Sequence, residues 1–344
     1  MKNKRKPSGK KLALMILNVV LAVIFTALLS VTIYVEWILG RFYRDPSQEV
    51  TLTPEQIQAV LQEDMEATRP SGVTEIKPED VDWGQVEQVE SADHILNVLL
   101  IGQDRRPGEV RARSDTMILI TVNTRDYTIT MTSFMRDLYV QIPGNAPNRL
   151  NVPYVFGGYD LLADTMEKNF GIRPDRFVEV DFDGFEAVVD AVGGIELYVT
   201  AAEAAYLNRH HTDWQIKEGV NHLNGKQALG YARNRTVGGD GDFGRTQRQR
   251  NVLNAILEKA KRLDLLQINE LLLALTDVLT TDMTSAEIMS YVVQFYPKLE
   301  KLSTPTELRI PYGNSYYSAW ADGIGSVLVP NLETNSAVLA ETQK

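Results

Sequence analysis

The chain has 344 residues, enough for one large domain or two small ones, with a formal net charge of −10 and no cysteine. The missing cysteines exclude disulfide staples, thiolate metal sites and a cysteine nucleophile. The acidic balance argues against nucleic acid as a partner, because that affinity rests on neutralised phosphates.

At the N-terminus, Lys2, Lys4, Arg5, Lys6, Lys10 and Lys11 stand without an acidic neighbour, and Leu12 to Val35 then runs without a charge. At about 1.5 Å per residue, a helix over 12–35 would be about 36 Å long, enough to cross a hydrocarbon core of about 30 Å with some tilt. Tyr34, Trp37 and Tyr43 lie near its far end, where interfacial aromatics belong. The expectation is a cytoplasmic basic tail (1–11) and one transmembrane anchor (12–35), hence a single-pass cell-membrane protein. A juxtamembrane spacer (36–92) follows, and then an extracytoplasmic domain (93–344). In the spacer, Thr53-Pro54-Glu55-Gln56 has the cap and proline that start a helix.

The body begins with an apolar run from Ile95 to Ile101, broken only by Asn97, as in a strand buried on both faces. Met117–Val122 and Tyr127–Phe134 read as two more strands joined by a hairpin turn. Leu161, Leu162, Thr165, Met166 and Phe170 fall at helical spacing before Gly171, a C-terminal stop. Phe177–Phe182 reads as a strand, and Asp183-Gly-Phe-Glu186 as the capping box of a helix ending at Gly193-Gly194. Ile195–Val199 is the next strand, and Asn224-Gly-Lys-Gln227 caps a short helix. Val252, Leu253, Ile256, Leu257, Ala260 and Leu263 then form one apolar helix face, with Arg245 and Gln249 on its N-terminal extension. Helices over 265–279 and 285–302, a strand over 307–310 and a helix over 331–341 complete an α/β fold, a mixed sheet covered by helices.

Chemistry concentrates in four places. Tyr231 to Arg250 holds Arg233, Arg235, Arg245, Arg248 and Arg250 around a Gly-rich turn with Asp240 and Asp242. Arginine forks hold phosphate oxygens with paired bonds, so this stretch suits a phosphate or diphosphate ligand, although a solvated helix face has the same composition. Asp104 and Arg105 follow the first strand, Arg113 and Asp115 precede the second, and Arg136 and Asp137 follow the third. Loops at strand ends are where α/β sheets place ligands, and carboxylates beside arginines suit magnesium on a diphosphate. Walker A, GxSxG and HExxH patterns are missing.

Taken together, Asn97-x-Leu-Leu-Ile-Gly-x-Asp104, Arg113-Ser-Asp115-Thr-Met, Ser133-x-x-Arg136-Asp137 and Asn151-x-x-Tyr154 resemble the LytR-CpsA-Psr family. So do Tyr231-x-Arg233-x-Arg235 and Gly241-Asp242-Phe-Gly-Arg245-x-x-Arg248-Gln249. The resemblance spans about residues 95–255. It implies a membrane-associated phosphotransferase that moves a glycopolymer, of teichoic acid or capsular type, from a polyprenyl diphosphate carrier in the membrane lipid to a peptidoglycan sugar hydroxyl. Carried over by position, Asp104 and Asp115 would hold Mg2+. Arg105, Arg113, Arg136, Arg233, Arg235, Arg245 and Gln249 would grip the diphosphate. Asp242 would be the general base, with Asp137 second. A hydrolase using water as acceptor, or a non-enzymatic receptor for phosphorylated lipid, would use the same arginines.

Overall fold

The computed structural model describes residues 68–105, 111–276 and 278–344, together with residues 26, 33, 34, 37, 38, 40, 43, 44, 53 and 55–58. The expected transmembrane anchor, and with it the single-pass placement, is corrected. Among the described residues no helix is long and apolar enough to cross a membrane. The longest of them, Gly241–Ala260, would reach about 30 Å, but it carries Asp242, Arg245, Arg248 and Arg250. The span 12–35 itself falls almost entirely outside the described residues.

The α/β body matches the expected class. Two short strands come first, β1 (Tyr43–Arg44) and β2 (Glu75–Ile76). Strand β3 (Ile95–Gln103) alternates buried and half-buried residues along its length. It runs antiparallel to β4 (Ser114–Asn123), which runs antiparallel to β5 (Thr128–Phe134). Alternation sends successive side chains to opposite faces. On one face Leu99, Ile101, Met117 and Leu119 enter the main core, while Ile118 and Met131 enter a smaller cluster on the other. The half-buried side of β3 includes Leu100, which packs against the smaller cluster and also borders a cavity. The cavity leaves that face of β3 half-buried, where the apolar run alone reads as buried on both faces.

After β5 the chain turns through Arg136 and Asp137 into a small antiparallel pair, β6 (Tyr139–Val140) and β7 (Asn148–Arg149). Helix α1 (Pro153–Phe170) follows, its proline in the first turn, where a missing N–H costs nothing. Leu162, Met166 and Phe170 pack into the main core, and Gly171 ends the helix at φ 74°. A Cβ there would lie 2.3 Å from the backbone oxygen of Glu87, so only glycine fits. Strand β8 (Arg176–Val180) pairs parallel with β3. Helix α2 (Phe182–Ala191) starts earlier than its expected cap. Asp181, not Asp183, accepts the Gly184 N–H at 2.9 Å.

A second core lies under β9 (Ile195–Val199), α3 (Ala201–His210), β10 (Gly219–Leu223) and α4 (Gly225–Ala232), with Ile195, Val199, Leu207, Leu223, Tyr231 and Val252 buried together. Capping boxes at Thr200/Glu203 and Asn224/Gln227 set both helix starts. Helix α5 (Gly241–Ala260) joins this core to the sheet, with Val252 in the second core and Leu253 and Leu257 in the smaller sheet cluster. Helix α6 (Leu265–Leu275) ends before a short strand, β11 (Leu279–Thr281), that pairs antiparallel with β8. Helix α7 (Ser285–Phe295) and β12 (Thr306–Ile310) follow, β12 joining β5 in parallel. The large sheet has the order β1-β11-β8-β3-β4-β5-β12.

The chain closes with the hairpin of β13 (Tyr316–Ala321) and β14 (Gly325–Pro330) and with helix α8 (Leu332–Glu341). Strand β2 adds to β13, and Ile76 and Val81 are buried against Ala319, Ala321, Val327 and Val329. Residues just before 93, read as spacer, thus contribute a strand and two core side chains to the body.

Candidate active site

Strand ends converge on one edge of the large sheet. They are the end of β3 with Asp104, the start of β4 with Asp115 and the turn after β5 with Arg136 and Asp137, joined by the first turns of α5. The link between α4 and α5 adds Arg233 and Arg235. Asp242 stands in the middle. Its Oδ2 accepts from Arg136 Nε at 3.0 Å and from Arg245 Nη2 at 2.9 Å, and its Oδ1 lies 3.2 Å from Arg235 Nε. Arg136 reaches on to Asp115 Oδ1 at 3.1 Å and lies 3.8 Å from Asp137 Oδ1. Arg245 donates to the backbone oxygen of Asp115 at 3.3 Å. Six of the expected residues, Asp115, Arg136, Asp137, Arg235, Asp242 and Arg245, thus form one network.

The network separates its carboxylates by environment. Burial works against ionisation of Asp115, but Arg136 and Arg245 outweigh it and hold this carboxyl below its ordinary range. At Asp137 burial prevails over Arg136 and Arg149, with the Asp242 charge adding to it, and the carboxyl is pushed up. Arg245 is pushed down to about 10 by burial, against the pull of Asp242, with crowding by Arg235 and Arg136. Arg136 is pushed up: burial opposes its charge, and Asp115, Asp137 and Asp242 overcome it.

The remaining expected residues flank this centre. Arg233 lies over the Phe182 ring, 4.1 Å from its centroid, and 3.9 Å from Asp104 Oδ2. Arg105 pairs with Asp181 at 3.1 Å and lies 3.8 Å from Glu179. Gln249 donates to Thr116 Oγ1 at 2.8 Å. Arg113 is half-buried immediately before β4. Arg248 and Arg250, from the same arginine-rich stretch, are structural. Arg248 binds Glu203 at 2.7 Å, and Arg250 binds Glu307 at 3.0 Å and Ser133 at 2.6 Å.

Several contributors were not singled out from sequence. Asn151 Nδ2 donates to Asp115 Oδ1 at 3.4 Å, and Arg149 Nε lies 3.7 Å from Asp137. Tyr154 donates to Glu179, behind Arg105. Asn151 and Tyr154 were already in the motif pattern, so a signal existed. Nothing local marks Arg149. Its role comes from the β6–β7 pair, which folds it back onto the turn after β5.

Beside the charged network lies a cavity of about 200 Å³ between the sheet and α2, α4 and α5. Leu100, Ile118, Val178, Val180, Phe185 and Leu253 supply apolar walls, while Asp115, Gln249 and Arg233 also line it. An apolar chamber continuous with arginines and carboxylates suits a ligand with a lipid body and an anionic head. Among the described residues no group of three or more His, Asp or Glu side chains is arranged to hold a metal. Asp104 and Asp115 do leave the same end of neighbouring strands, since Gln103 pairs with Ser114. Both donors on Asp115 sit on Oδ1, and Oδ2 has no donor among the described residues. That donor set fits a hard cation completed by ligand oxygens, not an all-protein cage.

A model of the LytR_cpsA_psr family matches residues 59–329. The chain belongs to the LytR-CpsA-Psr family. It is 33% identical over 238 residues to the polyisoprenyl-teichoic acid–peptidoglycan teichoic acid transferase TagU of Bacillus mycoides (strain KBAB4), covering 69% of this chain and 74% of that protein. It is 29% identical to the regulatory protein MsrR of Staphylococcus aureus (strain COL), covering 72% and 74%. The crystal structure of B. subtilis TagT superposes with a TM-score of 0.60 at 27% identity, covering 76% of this chain and 98% of that one. The matched residues include the whole charged network.

Proposed function

We propose that the protein is a phosphotransferase that moves a glycopolymer from a polyprenyl diphosphate carrier to a sugar hydroxyl of peptidoglycan. The observation that carries this is that the Asp242-centred network reaches the wall of the apolar cavity through Asp115, which we read as a head site and a tail site in one ligand path. TagU relatives, named for the transfer of teichoic acid from a polyisoprenyl carrier to peptidoglycan, support the same substrate class.

The reaction follows from the residues. Arg136, Arg235 and Arg245 bind the diphosphate oxygens and offset the charge that grows on the bridging oxygen as the anhydride P–O bond breaks. Arg233 and Gln249 border both head and tail sites and orient the lipid. The acceptor hydroxyl oxygen forms a new bond to the phosphorus bearing the glycan, and polyprenyl monophosphate departs. We assign the hydroxyl proton to Asp137, reversing the order expected from sequence. Both oxygens of Asp242 face arginine, which makes it the organiser of the phosphate clamp. Asp137 has the raised proton affinity a base needs.

Three carboxylates here face Arg136, Arg149, Arg235 and Arg245, so the surplus positive charge is small against the two negative charges of a diphosphate diester. Asp104 and Asp115 would hold Mg2+, and the ion would supply the missing neutralisation when bound. The test is a reconstituted reaction with lipid-linked polymer and peptidoglycan strands. The expected product is a phosphodiester-linked conjugate with stoichiometric polyprenyl monophosphate. Release of free polymer only would identify a hydrolase and overturn the reading.

A further inference from the structure

The arginines around the network share a habit: Arg136, Arg235 and Arg245 engage Asp242, Arg233 approaches Asp104, and Arg105 engages Asp181. Arg309 departs from it. It sits on β12, in register with Ser133 of β5, and no carboxylate ion pair is found for it among the described residues. Its Nε is buried without a hydrogen-bond partner. What holds it is a ring. The guanidinium carbon lies 4.4 Å from the centroid of Phe243, and Phe243 packs against Tyr316 with centroids 5.8 Å apart. Phe243 follows Asp242 in the first turn of α5, so the helix that carries the centre of the site also carries this stack.

An unpaired arginine is an unusual thing to half-bury. Burial, and then the neighbouring charge of Arg250, push its guanidinium down from the ordinary range, against the weaker pull of Tyr316 and Asp240. Arg250 spends its own donors on Glu307, Ser133 and Gln247 and brings no anion to Arg309. A cation held by a ring, with a buried Nε left unbonded, is poised to meet a negative charge that the ligand brings.

We propose that Arg309, stacked on Phe243, forms a second anion subsite that binds a phosphodiester group of the transferred polymer, beyond the diphosphate. Its fork matches two phosphate oxygens, and the Phe243 and Tyr316 rings give adjacent sugar or polyol carbons an apolar surface. The subsite would favour polymers with charged backbones over uncharged glycans. This rests on the transferase reading for its place in the reaction, while the anion binding itself does not need turnover.

The decisive experiment titrates a soluble glycerol-phosphate oligomer, without lipid or diphosphate, onto wild type and R309Q, with melting temperatures as a folding control. Wild type should bind about tenfold more tightly than R309Q, with the gap narrowing at high salt. Equal affinities overturn the proposal, as does an uncharged oligosaccharide that loses the same factor. Were R309Q to lose its fold, R309K would decide: it keeps the charge without the ring stack, so its loss should be smaller but measurable, and unchanged binding overturns the proposal. Equal competition by a phosphate-free peptidoglycan fragment would overturn the assignment to the polymer. In the transfer reaction, the kcat/KM preference for a phosphodiester donor over an uncharged one should fall about tenfold in R309Q, through KM. A wild type that transfers neither donor, yet binds the oligomer through Arg309, overturns the transferase reading and leaves the subsite standing.

Discussion

At the scale of single residues, three aspartates around Arg136 are chemically distinct although they share one network. Asp115 is held below its ordinary range, so its ionisation stabilises the fold above the unfolded value and that stability is lost as pH falls through the folded one. Asp137 is pushed up, so its contribution is present below the unfolded value and is lost as pH rises through the folded one. The two amide variants should therefore move the melting temperature in opposite directions at pH 7. Asp115→Asn should lower it and Asp137→Asn should raise it, and both differences should shrink as the solution is acidified below the carboxylate range. Melting curves at several pH values check this, and shifts of the same sign would show that the two environments are misassigned. In turnover, Asp137→Asn should lower kcat by about 10²-fold or more with little change in KM, as expected of a lost general base. Asp242→Asn should damage both constants, because it releases three arginines.

At the scale of elements, α5 and the link before it carry the clamp. Asn234 Oδ1 accepts the N–H groups of Thr236 and Val237, and Arg248 donates to the backbone oxygens of Asn234 and Val237. The segment bearing Arg235 is thus tied to α5, and Glu203 on α3 anchors Arg248 from below. Arg248→Met leaves Glu203 buried without its cation and should cost about 3–5 kcal/mol of stability. Adding Glu203→Leu should recover part of that loss. Denaturant unfolding of the single and double variants measures it, and a double variant weaker than the single would contradict the anchoring role.

The same elements show what could be read from the chain and why. The stripe of α5, the Asn224/Gln227 box and the Gly171 stop are local patterns, and the structure keeps them. The cap of α2 moved to Asp181 because β8 ends at Val180, and only pairing with β3 decides where it ends. Helix α3 and the β13–β14 hairpin lie outside the expected elements, although Thr200/Glu203 and Asp322-Gly323 mark them locally. The site divides similarly. Its residue types were legible from charge and spacing, whereas Asp242 as the hub depends on Arg136, 106 positions away, Arg248 as an anchor on Glu203, 45 positions away, and Arg149 behind Asp137 on the pairing of β6 with β7.

At the scale of the whole molecule, the sheet places charged strand ends and an apolar cavity side by side, and α5 borders both. Head and tail of one ligand should therefore contribute to affinity together. The most direct test compares binding of a short-chain prenyl diphosphate, the corresponding monophosphate and inorganic diphosphate, to wild type, Arg136→Ala and Leu253→Arg. The prenyl diphosphate should bind wild type at least tenfold more tightly than either partial ligand, with each variant losing that gain from its own end. If inorganic diphosphate binds wild type as well as the prenyl form, and Leu253→Arg changes nothing, the cavity plays no part and the single-ligand account is contradicted.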